Sequence, residues 1–280
     1  MRYLVAVSGG IDSVVLLDQL VAAGEHELIV AHFDHGIRTD SADDVRFVAG
    51  LAKKHGLPFE SQRKELGSKA SEDQARRCRY GFLRMMALKH RASIVTAHHA
   101  DDVIETIAIN LKRGTGWRGI AVMHAQDIVR PLLAMTKQDI RRYALRKRLE
   151  WVEDSTNYSD DYLRNQLRQR ISLQLPTDVK EAVLATWRQQ VALRVPIEHE
   201  LAKFTRQEEY SRYYITSVDT PSAVELLRAA IVAKTRQSPT RPQLIRAIIA
   251  IKTARPHTAF EIGAGVQLKF SVRTFIVETP

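Results

Sequence analysis

Apolar residues recur along the first half of the chain in two alternating rhythms. Residues 4–7 form a short, largely β-branched run that leads into a serine–glycine stretch, after which Val14, Val15, Leu16, Leu17 and Leu20 fall at helical spacing. Strand, loop and helix are the predicted elements. The alternation returns downstream. Residues 28–31 predict a buried strand, residues 43–55 a helix with Val45, Val48, Ala49 and Ala52 on one face, and residues 57–59 a third strand. Ser71, with Gln74 three residues on, has the form of a capping box that opens a helix to about His90. Residues 93–97 predict another strand and 102–111 another helix. Strands alternating with helices predict an α/β fold, a doubly wound parallel sheet in which ligands sit beyond the carboxyl ends of the strands.

From about residue 136 the pattern turns helical, through 143–148 and then roughly 162–203. The last portion differs again. Residues 223–235 and 242–251 predict helices, while 260–262, 266–270 and 274–277 predict short strands, together a small α+β domain. The boundary is expected near residues 210–221, which divides the chain into a domain over 1–212, with its helical extension from about 136, and a domain over 213–280.

Composition narrows the class. With 280 residues, 45% hydrophobic and 26% charged, the chain reads as an ordinary globular protein of about two domains. The longest apolar runs, such as residues 247–251, stop at five, far below the ~18–20 a membrane span needs. The one cysteine, Cys78, permits no internal disulfide, and residues 3–7 run directly into Ser-Gly-Gly without a signal-peptide cleavage pattern. A soluble cytoplasmic protein with no membrane partner is the default expectation. Lys plus Arg number 42 against 32 Asp plus Glu, a net charge of +10, and the excess is uneven. Residues 1–62 carry −4, 63–91 carry +6, 130–212 carry +4 and 220–280 carry +6. Such a distribution suits a polyanionic partner; solvated helix faces are the alternative.

Ser8-Gly9-Gly10-Ile11-Asp12-Ser13 sits between a hydrophobic strand and a helix, the context of a phosphate-binding loop. Glycines let backbone N–H groups approach an anion, serine hydroxyls add donors, and the helix offers its positive end. A glycine turn with a serine or aspartate helix cap is the alternative. Neither the Walker A pattern nor the three-glycine dinucleotide fingerprint is present. Asp12 is the carboxylate best placed for a magnesium ion, with Asp101 or Asp102 to complete its shell, unless Asp12 only caps the helix. Asp102 and Glu105 are three apart at a helix start, so they project together as a clamp for an ammonium group or simply favour the helix dipole. His32, His35, His98 and His99 lack zinc-site spacing or cysteine partners. Arg76 and Arg79, three apart on a basic helix, can reach one anion. Residues 112–119 combine Lys112, Arg113 and Arg118 with three glycines and Trp117, cations for phosphates and a ring for an unpaired base.

SGGIDS resembles the pyrophosphate loop of the N-type ATP pyrophosphatases, which cleave ATP to AMP and pyrophosphate by adenylating a substrate. AHFDHGIRTDSADDVRFV (31–48), ARRCRYGFL (75–83), TAHHADDVIETIAINLKRGTGWRGIAVM (96–123) and EDSTNYSDDYLRNQLRQRI (153–171) follow in the order expected of the tRNA(Ile)-lysidine synthetases. These motifs span about the first 170 residues, and HHADD with its following ET is the most specific. The resemblance is weaker over the C-terminal 70 residues, taken as a small accessory tRNA-binding domain in a short form without a further C-terminal domain.

The resemblance implies a reaction. ATP, with Mg²⁺, adenylates O2 of the wobble cytidine (position 34) in the CAU anticodon of tRNA(Ile), and free L-lysine then attacks C2 to give lysidine, AMP and pyrophosphate. It implies nucleotide contacts from Ala6, Ser8, Gly9, Gly10, Ile11, Asp12, Ser13, His32, Arg79 and His98, and catalytic roles for Asp12, Arg76, Asp102 and Glu105, the last two as the lysine-binding pair. Lys112, Arg113, Arg118, Arg164 and Arg168 are implied tRNA contacts, and the choice among Arg164, Arg168 and Arg170 stays open. The lone Cys78 argues against tRNA sulfur chemistry, which uses paired cysteines. The oligomeric state is open, a dimer included.

Overall fold

Five parallel strands form the sheet of the N-terminal unit in the order β3-β2-β1-β4-β5: β1 (Arg2–Ala6), β2 (Glu27–Asp34), β3 (Phe59–Arg63), β4 (Ser93–Val95) and β5 (Ile128–Val129). The computed structural model describes residues 1–36, 41–67, 71–125, 127–152, 175–263 and 265–279. Side chains alternate across each strand, and both faces are covered. Val5, Val30 and Val95 join one cluster with Val15 and Leu16 of α1 (Ile11–Ala23), Val48 of α2 (Ser41–Lys54) and Ile140 and Ala144 of α5 (Lys137–Lys147). Leu4, Ile29, Ala31 and Ile94 join another with Tyr80, Phe82 and Leu83 of α3 (Glu72–His90). The expected doubly wound α/β sheet is therefore present.

The strand order matters for the site. The chain runs outward from β1 to β2 and β3, then returns to lay β4 against the other side of β1, so the loops after β1 and β4 open into one crevice at the sheet's carboxyl edge. Behind β4 follows α4 (Ala100–Lys112), whose Val103, Ile104 and Ile107 pack with Leu184 and Trp187 of α6 (Thr177–Phe204). The Trp187 indole N–H donates to the Val122 carbonyl at 2.9 Å. Two compact units divide at Val191 and Ala192, inside α6 and upstream of the division expected at 212/213. Residues after the split already serve the second core, in which Phe204 packs.

Two edge elements depart from the pattern-based reading. The third strand is Phe59–Arg63 rather than 57–59: Leu57 packs into the core and the Pro58 carbonyl accepts from Val30, so the apolar residues precede an edge strand, Phe-Glu-Ser-Gln-Arg, whose side chains are mostly polar. Strand β5 at the opposite edge is two residues long, too short for any periodicity. Ser71 does cap α3, its hydroxyl accepting from the Gln74 N–H at 3.2 Å.

The second unit, Ala192–Pro280, carries an antiparallel sheet in the order β6-β9-β8-β7, from β6 (Tyr210–Ser211), β7 (Ala259–Gly263), β8 (Val266–Phe270) and β9 (Thr274–Glu278). Helices α7 (Arg212–Ser217), α8 (Thr220–Thr235) and α9 (Arg241–Thr253) lie on one face of it. Leu227 and Ile231 from α8 and Leu244, Ala247 and Ile251 from α9 meet Leu268, Phe270, Phe275 and Val277, the α+β core expected from the sequence. Arg212 fastens the unit: its guanidinium donates to the carbonyls of Ile251, Ala254 and Ser271 at 2.7–2.9 Å, which ties the end of α9 to the β8–β9 turn.

Candidate functional site

The loop after β1 turns sharply and is braced from within. Gly9 adopts φ +95°, where a Cβ is strained, and its carbonyl accepts the Val152 N–H at 3.0 Å; Phe47, Val48 and Val152 close in behind it. Ser13, 5% exposed, is the loop's internal brace: its hydroxyl donates to the Gly10 carbonyl at 2.8 Å and accepts the Ser8 N–H at 3.1 Å. Gly10 is the N-cap of α1, and no side chain caps that end. The Ser13 N–H donates to the Gly10 carbonyl at 3.0 Å, which leaves the first-turn N–H groups of Ile11 and Asp12, with the positive helix terminus behind them. Ile11 packs against the core and Ala6 ends β1 just before the loop.

Across the crevice, the start of α4 brings its acids to this loop. His99 Nε2 lies 3.9 Å from Asp12 Oδ1 and 3.5 Å from Asp102 Oδ2, and His99 Nδ1 lies 3.9 Å from Asp101 Oδ2. Asp102 also accepts the His99 N–H at 2.9 Å, the N-terminal cap of the helix. Glu105, one turn on, is 3% exposed. Asp101 is committed elsewhere: one oxygen accepts the Lys137 N–H at 2.6 Å and the other the Lys180 ammonium at 2.9 Å. Asp12 is held by the Lys137 ammonium at 2.6 Å. Among the described residues no group of three or more His, Cys, Asp and Glu side chains is arranged as a metal site.

Histidines and arginines line the other wall. His32 Nδ1 is 2.9 Å from the Val7 carbonyl, which can only accept, so Nδ1 carries a proton. His98 Nδ1 pairs with the Thr96 hydroxyl at 2.9 Å. Burial, with Arg130, Arg76 and Arg79 nearby, lowers the His98 pKa to about 3, so the ring is neutral at pH 7. Burial and Arg79 also push His35 down. Arg76 and Arg79 sit over the Tyr80 ring at 5.0 and 5.5 Å, so the two arginines expected to share an anion do share one aromatic support.

A family model of the PP-loop domain matches residues 1–175. The chain belongs to the PP-loop family. It is 34% identical over 230 residues to a tRNA(Ile)-lysidine synthase of Solibacter usitatus (strain Ellin6076), an alignment covering 80% of this chain and 49% of that protein. A tRNA(Ile)-lysidine synthase of Thermosipho africanus (strain TCF52B) is 37% identical over 185 residues, 61% of this chain and 43% of that protein. The chain thus spans about half the length, or less, of these curated relatives. Among solved structures, the U34-tRNA thiolase NcsA from Methanococcus maripaludis superposes with a TM-score of 0.58 at 14% identity, covering 69% of this chain and 72% of that one, a likeness of fold.

Three cations of the PP-loop unit escaped the sequence reading. Lys137 lies 125 positions from Asp12 and meets it only through the fold. Its one local signal is a lysine on the first turn of a helix capped by Thr136 and Asp139, where the dipole disfavours a cation. Lys180 reaches Asp101 from α6 and has no local signal. Arg130, half-buried, donates to the carbonyls of Met123 and Ile128 at 3.1 and 3.2 Å and so shapes the segment entering β5. In the 112–119 segment a Cβ at Gly119 would collide with the Thr115 side chain, and Arg118 covers a face of Trp117 at 4.7 Å. Lys112 and Arg113 are exposed. Arg164, Arg168 and Arg170 lie outside the described residues.

Proposed function

We propose that the chain ligates lysine to C2 of the wobble cytidine in the CAU anticodon of tRNA(Ile), at the expense of ATP. The observation that carries this reading is the meeting of the uncapped phosphate loop with the acidic start of α4, His99 lying within 4 Å of both Asp12 and Asp102. One half of that crevice suits a triphosphate and the other an ammonium, and the similarity to tRNA(Ile)-lysidine synthases joins the two demands in one reaction.

In the first step the cytidine O2 attacks the α-phosphorus of ATP, and the bond to pyrophosphate breaks. The N–H groups of Gly9, Ile11 and Asp12 and the end of α1 hold the departing charge, and the Lys137 ammonium adds to them. Mg²⁺ supplies neutralisation of phosphate oxygens; Asp12 is its protein ligand in this reading, since both Asp101 oxygens already accept hydrogen bonds. Arg76 and Arg79 contact the phosphates, while His32 and neutral His98 border the nucleotide. In the second step Asp102 and Glu105 hold the lysine side chain, and a carboxylate takes the proton that frees the ε-amine to attack C2. AMP leaves with the former cytidine oxygen. Lys112, Arg113 and Arg118, with Arg164 and Arg168, contact the tRNA.

The test is incorporation of labelled lysine into an isoleucine tRNA transcript bearing CAU, with ATP and Mg²⁺. Expected are lysine incorporation and equimolar AMP, both dependent on the tRNA. Pyrophosphate release stimulated by another substrate, without lysine incorporation, would sink the reading. A sulfur-transfer reading is disfavoured by the single cysteine in the 280 residues, Cys78, which cannot form a pair.

A further inference from the structure

Two lysines of the PP-loop unit stand at the starts of helices, where the dipole disfavours a cation: Lys137 on α5 and Lys180 on α6. An aspartate holds each of them there. The Lys137 ammonium lies 2.6 Å from Asp12 and the Lys180 ammonium 2.9 Å from Asp101. The two pairs share a joint, because the other Asp101 oxygen accepts the Lys137 N–H at 2.6 Å. Just before it, the Ala100 N–H donates to the Met135 carbonyl at 2.9 Å and straps the same segment to α4. One chain of contacts thus runs from α6 through Asp101 and the start of α5 to the phosphate loop.

Burial separates the roles of the two pairs. The Asp12 and Lys137 side chains are 33% and 42% exposed, so a ligand can reach them, whereas Asp101 and Lys180 are largely enclosed. Asp101 is nonetheless a rival for Lys137, whose side chain begins beside the carboxylate that its own N–H already touches. No other lysine or arginine pairs with Asp101 among the described residues, and His99 Nδ1, 3.9 Å away, is beyond hydrogen-bond reach of it. With Lys180 in place the Asp101 charge is met, and Asp12 is left to draw the Lys137 ammonium. Without Lys180, Asp101 becomes a buried anion lacking a cation, a costly state that Lys137 relieves by turning back onto it.

We propose that Lys180 is a positioning residue for ATP: by satisfying Asp101 it directs the Lys137 ammonium to the phosphate loop, where that ammonium meets the departing pyrophosphate. Lys180 acts only through Asp101 and Lys137. The inference rests on the role of Lys137 in the proposed reaction, and the nucleotide site tests it without the tRNA or the amino acid.

The experiment is calorimetric titration of the full chain with α,β-methylene-ATP and Mg²⁺, and separately with AMP. Lys180→Met should weaken binding of the ATP analogue at least about tenfold, the scale of one charged hydrogen bond, and leave AMP within about twofold, since AMP lacks the phosphates that Lys137 meets. In a Lys137→Met background the same substitution should cost less than about twofold more, because the two act through one contact. Adding Asp101→Asn to Lys180→Met should bring the analogue back to within about threefold of wild type: it removes the rival charge and keeps an acceptor for the Lys137 N–H. Lys180→Gln, neutral but still a donor, repeats the test if Lys180→Met folds poorly. Wild-type affinity for the analogue in the Lys180 variants, an equal loss for AMP, or no recovery with Asp101→Asn would overturn the proposal. The expected binding pattern in a protein that incorporates no lysine into tRNA would keep the role of Lys180 and remove the lysidine reading; normal incorporation with analogue binding unchanged in Lys180→Met would do the reverse.

Discussion

Single residues carry most of the chemistry, and their environments set what each can do. Lys137 is parked on Asp12, so a ligand that takes Asp12 frees an ammonium beside the phosphate loop. Replacing it with Met should cut pyrophosphate release by about 10²-fold or more, the scale of losing one preorganised charge contact, with Lys137→Arg partly restoring the rate; turnover equal to wild type in single-turnover assays would refute the role. Asp102→Asn should raise the KM for lysine more than that for ATP, because the cap and the clamp lie on the amine side of the crevice. His98 gives a pH signature. Its pKa falls from 6.5 to about 3 on folding, so between these values the unfolded chain binds the extra proton and stability rises with pH. Unfolding free energy should therefore decline as pH drops below about 6.5, and His98→Gln should flatten that decline in urea titrations; an unaltered profile would exclude His98 as its source.

At the scale of elements, the start of α4 is a junction. Asp101 receives the first N–H of α5 and the Lys180 ammonium of α6, with the Asp101 and Lys180 side chains only 12% and 15% exposed. A buried pair that loses one partner leaves a charge without compensation, so Lys180→Met should destabilise the PP-loop unit by about 3 kcal/mol in denaturant unfolding. A loss below half a kilocalorie would mark the pair as dispensable. This junction was invisible to pattern reading: α4 itself was predicted from its apolar spacing, yet nothing at positions 137 or 180 announces a partner at 101. The polar strand β3 was expected two residues too early and the two-residue β5 not at all for a related reason, since edge strands lie against one neighbour and need little hydrophobic signal.

The chain folds as two compact units, and they are optically distinct. All three tryptophans, Trp117, Trp151 and Trp187, lie within Met1–Val191, whereas Ala192–Pro280 has its own buried cluster and none. Urea unfolding followed by tryptophan fluorescence should thus report the first unit, and far-ultraviolet circular dichroism both; separate midpoints are expected, and superimposable transitions would mean that the units unfold as one. No helix among the described residues is long and apolar enough to cross a membrane.

By itself the sequence determined the alternation of strands and helices, the loop from Ser8 to Ser13, the acidic start of α4 and the basic C-terminal quarter. These are local properties, written in spacing, glycine placement and charge over a few turns of chain. Only the tertiary structure decided which of them meet. Reversal of strand order between β1 and β4 places His99 beside Asp12, brings Lys137 across 125 positions, and turns Asp101 from a free carboxylate into a clasp. Contacts between distant segments follow from topology and burial, and neither leaves a mark in the local pattern of residues.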